Sequence, residues 1–259
     1  SISLAAASLL LIFGTVSAAP SDEAFDYADY ARVLAAYVDS SGMVDYSGLQ
    51  ANRSALDRFV ESMGEVSQTG LMSWSEPARI AFWINAYNAI TLKVIIDNYP
   101  IESSFFSSLV YPDNSIRQID GVWTEITHPV AGEPRTLNQI EHEVLRSRFS
   151  EPRIHVALVC AAMGCPPLRR SPFVADSLDA QLDHQSVRFL ADRDKFRIDR
   201  RRDKVRLSSI FDWFAEDFIA GYADAGPVDE FKQPVNAVLN FIHGYLEDER
   251  RDYLAGEGY

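Results

Sequence analysis

Residues 79–100 read RIAFWINAYNAITLKVIIDNYP, and this stretch decides the architecture. From Ile80 to Leu92 thirteen residues pass without a charge, between Arg79 and Lys93. The pattern predicts a helix over Glu76–Asn98 that is apolar nearly all round, ending at Tyr99-Pro100 because the residue before a proline leaves helical space. Thirteen residues make a buried core helix and are too few to span a membrane. A helix without a polar face must be wrapped by its neighbours, so this one is the expected centre of the fold. Asn85 and Asn88 interrupt its apolar run three residues apart, which points both amides to nearly the same side.

Outward from that helix the chain reads as alternating short elements. Asp26 to Val38 and Leu49 to Met63 carry apolar residues at helical spacing, with a short strand over Met43–Tyr46 between them. Strands are predicted at Val122–Ile126 and His128–Val130, the latter followed by a turn at Ala131-Gly132-Glu133. Thr136-Leu137-Asn138-Gln139 fits a capping box opening a short helix to Arg146. RIHVALVC, residues 153–160, is apolar and rich in β-branched residues and reads as the clearest strand in the chain. Helices follow at Ala175–Leu190, Ser208–Ile219 and Val228–Glu247. Phe196–Ile198 and Val205–Leu207 flank the charged turn at Arg200–Lys204. The expected class is α/β of the α+β kind: one helix-rich domain, residues 20–259, around a small mixed β-sheet with a buried central helix.

The first nineteen residues read as a secretory signal. No charge precedes Asp22, Leu4 to Phe13 is an apolar run, and Val16-Ser17-Ala18-Ala19-Pro20 supplies the small residues of a cleavage site. The initiator methionine and a basic leading segment are missing, so a few residues are expected to precede Ser1. This predicts an exported protein, periplasmic or extracellular, with no stable membrane insertion after cleavage and in a compartment where disulfides form. The 259 residues hold 24 Lys and Arg against 37 Asp and Glu, a formal charge of −13. That field repels phosphate and argues against nucleic acid. Peptides or envelope proteins are the substrates that export suggests, and the oligomeric state is not set by the sequence.

Serine-hydrolase, nucleotide, dinucleotide and zinc-protease signatures are all missing, and no cofactor or metal is called for. Chemistry concentrates in one polar cluster: Asn85, Asn88, Glu141, His142, Cys160 and Cys165. On a strand, His155 and Cys160 differ in parity and leave opposite faces, so His142 is the better base for Cys160. Glu141 and His142 are adjacent on a helix and are not expected to share a face. Asn85 or Asn88 is then the orienting group for the imidazole. His128, His184 and His243 read as surface or satisfied core histidines, and Trp74, Trp83, Trp123 and Trp213 as core.

Three blocks, RIAFWINAYNAITLKVIIDNYP (79–100), LNQIEHEVLR (137–146) and RIHVALVCAAMGCPPL (153–168), together resemble the signature of the domain of unknown function 547 family, in its exported bacterial form. The likeness extends over roughly Tyr30 to Tyr253. It marks Asn85, Asn88, Glu141, His142, Cys160 and Cys165 as signature positions and implies no settled activity. Family members carry a further C-terminal Tyr-Asp-Trp-x-Leu-Asn tail that this sequence lacks, so truncation at that end is expected.

Four readings fit the cluster. Cys160 is a nucleophile activated by His142, with Cys165 in reserve, giving papain- or transglutaminase-like hydrolysis or acyl transfer on peptide or amide bonds. Alternatively Cys160 and Cys165 form a disulfide, as a staple or as a redox pair, in a non-catalytic or a redox protein. A zinc site with His142 or His155 is the third reading. The fourth is a binding module in which Asn85, Asn88 and His142 form a buried network that fixes the core.

Overall fold

The computed structural model describes residues 25–102, 114–161 and 164–256. The expected signal segment and the last three residues lie outside them. Helices α1 (Ala28–Tyr37), α2 (Tyr46–Ala51), α3 (Ser54–Glu65) and α4 (Gln68–Ser73) lead into α5 (Glu76–Asp97). Helix α5 is the expected one: Ser75 caps it by accepting from the Ala78 amide at 3.4 Å, and Pro77 lies in its first turn. Ile80 through Leu92 are buried without a break, Asn85 and Asn88 included. Around it pack α1 and α3, joined by the stacked rings of Tyr30 and Phe59 at 4.7 Å. Full burial of a Leu, Ile or Phe side chain contributes about 1.5–3 kcal/mol, so the unbroken burial along this helix is a large contribution to the core around it.

Strands β1 (His128–Val130) and β2 (Glu133–Arg135) form the first hairpin. Its two-residue turn needs left-handed backbone at both positions, met by Ala131 (φ 53°) and Gly132 (φ 76°). The turn docks on the end of α3, where the Ala131 and Gly132 amides donate to the Met63 and Gly64 carbonyls at 2.9 and 3.2 Å. After a π-helical turn over Gln139–Leu145 come α6 (Arg146–Arg148), a 3-10 segment at Pro152–Val156 and α7 (Leu178–Ala191). The second hairpin pairs β3 (Phe196–Asp199) with β4 (Lys204–Leu207). The chain closes through α8 (Ser209–Trp213), a 3-10 turn at Ala215–Phe218, α9 (Ile219–Tyr222), α10 (Gln233–Gly244) and α11 (Asp248–Leu254). No described helix is long and apolar enough to cross a membrane.

The apolar core falls into two clusters. One surrounds α5, and the other gathers Phe189, Phe196, Phe211, Phe218 and Phe241. Ile154, Ala157 and Leu158 belong to the first and Val156 to the second, so the 152–158 segment lies along the seam.

The helix-rich α+β class stands, with the β-structure rearranged. The described residues hold two separate two-stranded antiparallel sheets in place of one mixed sheet. Residues 153–160 form no strand. Their amides close locally, Ile154 to the Glu151 carbonyl and Ala157 and Leu158 to that of Ile154. Residues 122–126 are a turn in which the Thr124, Glu125 and Ile126 amides all donate to the carbonyl of Gly121, whose φ is 67°. Over Met43–Tyr46 only the bridge Val38–Val44 forms. The expected helix at 49–63 is two helices, because Asn52 Nδ2 bonds back to the Gly48 carbonyl at 3.0 Å and ends α2. The expected helices at 208–219 and 228–247 are likewise shorter pieces.

Candidate functional site

The two asparagines of α5 act as backbone clamps. Asn88 Nδ2 donates to the Ala157 carbonyl at 3.0 Å, while its Oδ1 accepts from the Val159 amide at 2.8 Å. Asn85 does the same for Phe173, donating to its carbonyl at 2.7 Å and accepting from its amide at 3.0 Å. Gln185 of α7 adds a bond to the Val156 carbonyl at 3.3 Å and one to that of Pro167 at 3.0 Å. Side-chain amides thus supply the partners that a neighbouring strand would have given residues 156–159. With both ends of each amide engaged by backbone, neither Asn85 nor Asn88 orients an imidazole, contrary to the expectation above.

The capping box forms as expected: Gln139 N donates to Thr136 Oγ1 at 3.2 Å and Thr136 N to Gln139 Oε1 at 3.0 Å. The helix that follows is wide. The Arg146 amide reaches back five residues to the Glu141 carbonyl. In this wider turn Glu141 and His142 both line one cleft of about 710 Å³, although an α-helix would separate them. Tyr87 of α5 lines the same cleft, where burial, together with the nearby Glu141 carboxylate, holds its phenol well above its ordinary value.

Beyond His142 runs a chain of polar contacts that crosses the seam. Arg146 Nη1 donates to His142 Nδ1 at 2.8 Å, and its Nε and Nη2 grip Asp217 Oδ2 and Oδ1 at 2.6 and 2.9 Å. His155 Nε2 donates to the same Asp217 Oδ2 at 2.8 Å. The Phe214 ring stacks on His155 with centroids 4.0 Å apart and planes 9° apart, and the Arg146 guanidinium lies 4.8 Å from its centre.

Burial alone would raise the carboxyl of Asp217, but the bonds from His155 and Arg146 outweigh it and hold it well below the ordinary range. His155 is pushed down by burial against the opposing pull of Asp217, so it is neutral at neutral pH, with its proton on Nε2. No described residue hydrogen-bonds its Nδ1. His142 has the same tautomer with the other nitrogen engaged: a guanidinium can only donate, so its Nδ1 is the acceptor and its Nε2 carries the proton.

Cys160 and Cys165 are joined as a disulfide with Cα atoms 5.9 Å apart. Both are half-buried and line the cleft that holds Glu141, His142 and His155. The structure therefore gathers four of the six expected residues at one cleft and places the two asparagines behind it. Trp213, expected in the core, is 62% exposed on the cleft. Among the described residues no three His, Cys, Asp or Glu side chains converge to hold a metal ion.

Asp217, Arg146 and Phe214 escaped the sequence reading. Asp217 lies 62 residues from its partner His155, and no local pattern couples them. Strand parity would turn His155 away from Cys160, and the 3-10 segment at Pro152–Val156 removes that parity.

Together these features define a helix-rich α+β protein whose cleft is lined by a cysteine pair and by a buried histidine bonded from behind to a half-buried aspartate. Residues 71–190, a little under half of the chain, match the profile of the family described as protein of unknown function, DUF547, a match that supports a member of that family. The match takes in α5, the π-helical turn and the cysteine pair, while Phe214 and Asp217 lie past its end. Comparison with curated proteins and with solved structures found no match.

Proposed function

We propose that the cleft is the site of a cysteine-dependent hydrolase or acyl transferase acting on peptide or amide bonds, with the reduced Cys160 as nucleophile. The observation that supports this most is that His155, which lines the cleft with both cysteines, is paired with Asp217. A neutral imidazole whose Nε2 proton is held by a carboxylate has one basic atom left, and that is Nδ1. In this reading it takes the thiol proton as Cys160 attacks the carbonyl, and Asp217 stabilises the imidazolium that forms. His142, expected as the base, instead offers its Nε2–H as a donor toward the developing oxyanion. Cys165 is the partner that closes Cys160 off until the disulfide is reduced.

Export to the periplasm or beyond belongs to the same proposal, supported by the apolar run Leu4–Phe13, the small residues after it and the disulfide. A peptide or envelope protein is the proposed substrate.

The test is acylation of the reduced protein by p-nitrophenyl acetate. The expected result is one acetyl group per chain, mapped to Cys160 by peptide mass, lost in Cys160→Ser and kept in Cys165→Ser. Full acylation at the same rate in Cys160→Ser sinks the reading. A second reading is favoured by the disulfide itself: a non-catalytic exported binding or structural domain in which the bond fixes the cleft wall. It predicts that reduction leaves the protein without any acylation at either cysteine.

A further inference from the structure

The Cys160–Cys165 bond closes a loop that needs little closing. The two cysteines are five positions apart, and the constraint a disulfide places on the unfolded chain shrinks with the loop it closes. Both flanks are already tied down. Asn88 grips Ala157 and Val159 on one side, and Gln185 holds the Pro167 carbonyl on the other. The bond is also open to reaction: both cysteines are half-buried and line the cleft that His155 also lines. Disulfides that stay accessible in the folded state are the ones that exchange.

We propose that Cys160 and Cys165 form a dithiol–disulfide couple that exchanges with disulfides of other polypeptides. The cleft, about 710 Å³ with Leu158, Phe214 and the exposed Trp213 on its walls, has the size and apolar surface for a peptide segment around the reacting sulfur. In the reducing direction Cys160 gives its proton to His155 Nδ1 and attacks one sulfur of the partner's disulfide. A Cys160–partner bond forms, the partner's S–S bond breaks, and the departing thiolate takes the proton from His155. Cys165 then gives its proton to His155 and attacks Cys160 Sγ, forming the 160–165 disulfide and expelling the partner's second sulfur, which leaves as a thiol with that proton. Two electrons pass from the cysteine pair to the partner's disulfide. The same steps reversed oxidise a partner dithiol and return the reduced pair. This activity shares Cys160 with the acyl-transfer reading but requires no acyl chemistry and does not rest on it.

The experiment mixes the reduced full chain with a synthetic peptide bearing one disulfide, quenches in acid and follows products by mass. The expected native rate exceeds that of the same protein in urea by about tenfold or more, with glutathione disulfide slower than the peptide. Cys165→Ser should accumulate a peptide bonded to Cys160, and His155→Ala, verified as folded by circular dichroism, should slow exchange about tenfold. A native rate no faster than in urea overturns the proposal. Equal rates with glutathione disulfide overturn the assignment to polypeptides. A protein that exchanges but forms no acetyl adduct retains this activity and loses the hydrolase reading, and the opposite pair of results does the reverse.

Discussion

Replacing Asn88 by alanine separates a clamp from a catalytic orienter. The substitution removes two hydrogen bonds, from Asn88 Nδ2 to the Ala157 carbonyl and from the Val159 amide to Asn88 Oδ1. Leaving a buried backbone group unpaired costs about 1–3 kcal/mol. Ala157 is 1% exposed and bears the upper part of that range, whereas Val159 is half-buried and water can reach its amide. The expected total is about 2–4 kcal/mol. Urea denaturation should show a lower midpoint at unchanged slope, since the surface exposed on unfolding stays nearly the same. Amide exchange adds the local signature: Val159 loses protection in Asn88→Ala. In Asn85→Ala Val159 keeps its protection and Phe173 loses its own. A loss below about 0.5 kcal/mol with Val159 still protected refutes the clamp. Such a result accompanied by loss of acylation would restore Asn88 to the orienting role read from the sequence.

Three further outcomes follow from the same geometry. His155 binds its proton less readily folded than unfolded, so the unfolded chain holds more protons between the lowered value and the ordinary 6.5; stability present above 6.5 falls as acid is added through that window. Asp217 acts in the same direction at lower pH, its contribution present above the ordinary 3.8 and lost as pH falls through its depressed value, so urea midpoints should decline steadily on acidification, and a His155→Gln variant should flatten the upper part of the decline. Gly132→Val, at φ 76° in the first hairpin, should cost about 1–2 kcal/mol in the same assay, and an unchanged midpoint would show the turn adapts freely. Trp213→Ala removes a side chain that is 62% exposed, so stability should hold within about 0.5 kcal/mol while KM for a peptide ester rises; an unchanged KM removes Trp213 from the binding surface.

What could be read from residues alone was what neighbouring residues decide. Helix α5 declares itself because thirteen consecutive uncharged residues admit no solvated face, and its stop is written in Tyr99-Pro100. The Thr136–Gln139 cap and the Ala131-Gly132 turn are likewise local chemistry. Residues 153–160 misled for a physical reason. A β-branched, largely apolar run says that both sides are buried but not who satisfies the backbone. Here Asn88 and Gln185, from two distant helices, do so in place of a strand.

That error carried into the site, since the parity that excluded His155 exists only on a strand. Adjacent Glu141 and His142 reach one cleft because the helix widens to a π-turn, which no sequence periodicity announced. Asp217 and Arg146 meet only through the packing of α6 against the chain beyond α8. A pairing of that kind is a property of the folded chain.

In the proposed chemistry His155, positioned by Asp217, is the base of the site and His142 a donor. The pH dependence of acylation of the reduced protein by p-nitrophenyl acetate tests it most directly, in wild type, His155→Ala and His142→Ala. Wild type should lose activity on acidification with a limb below the ordinary imidazole value of 6.5, because burial pulls His155 down. His142→Ala should be slower by about a hundredfold with that limb in place, whereas His155→Ala should lose the limb and recover rate with added imidazole. A limb that persists in His155→Ala and vanishes in His142→Ala contradicts the account and returns the role of base to His142.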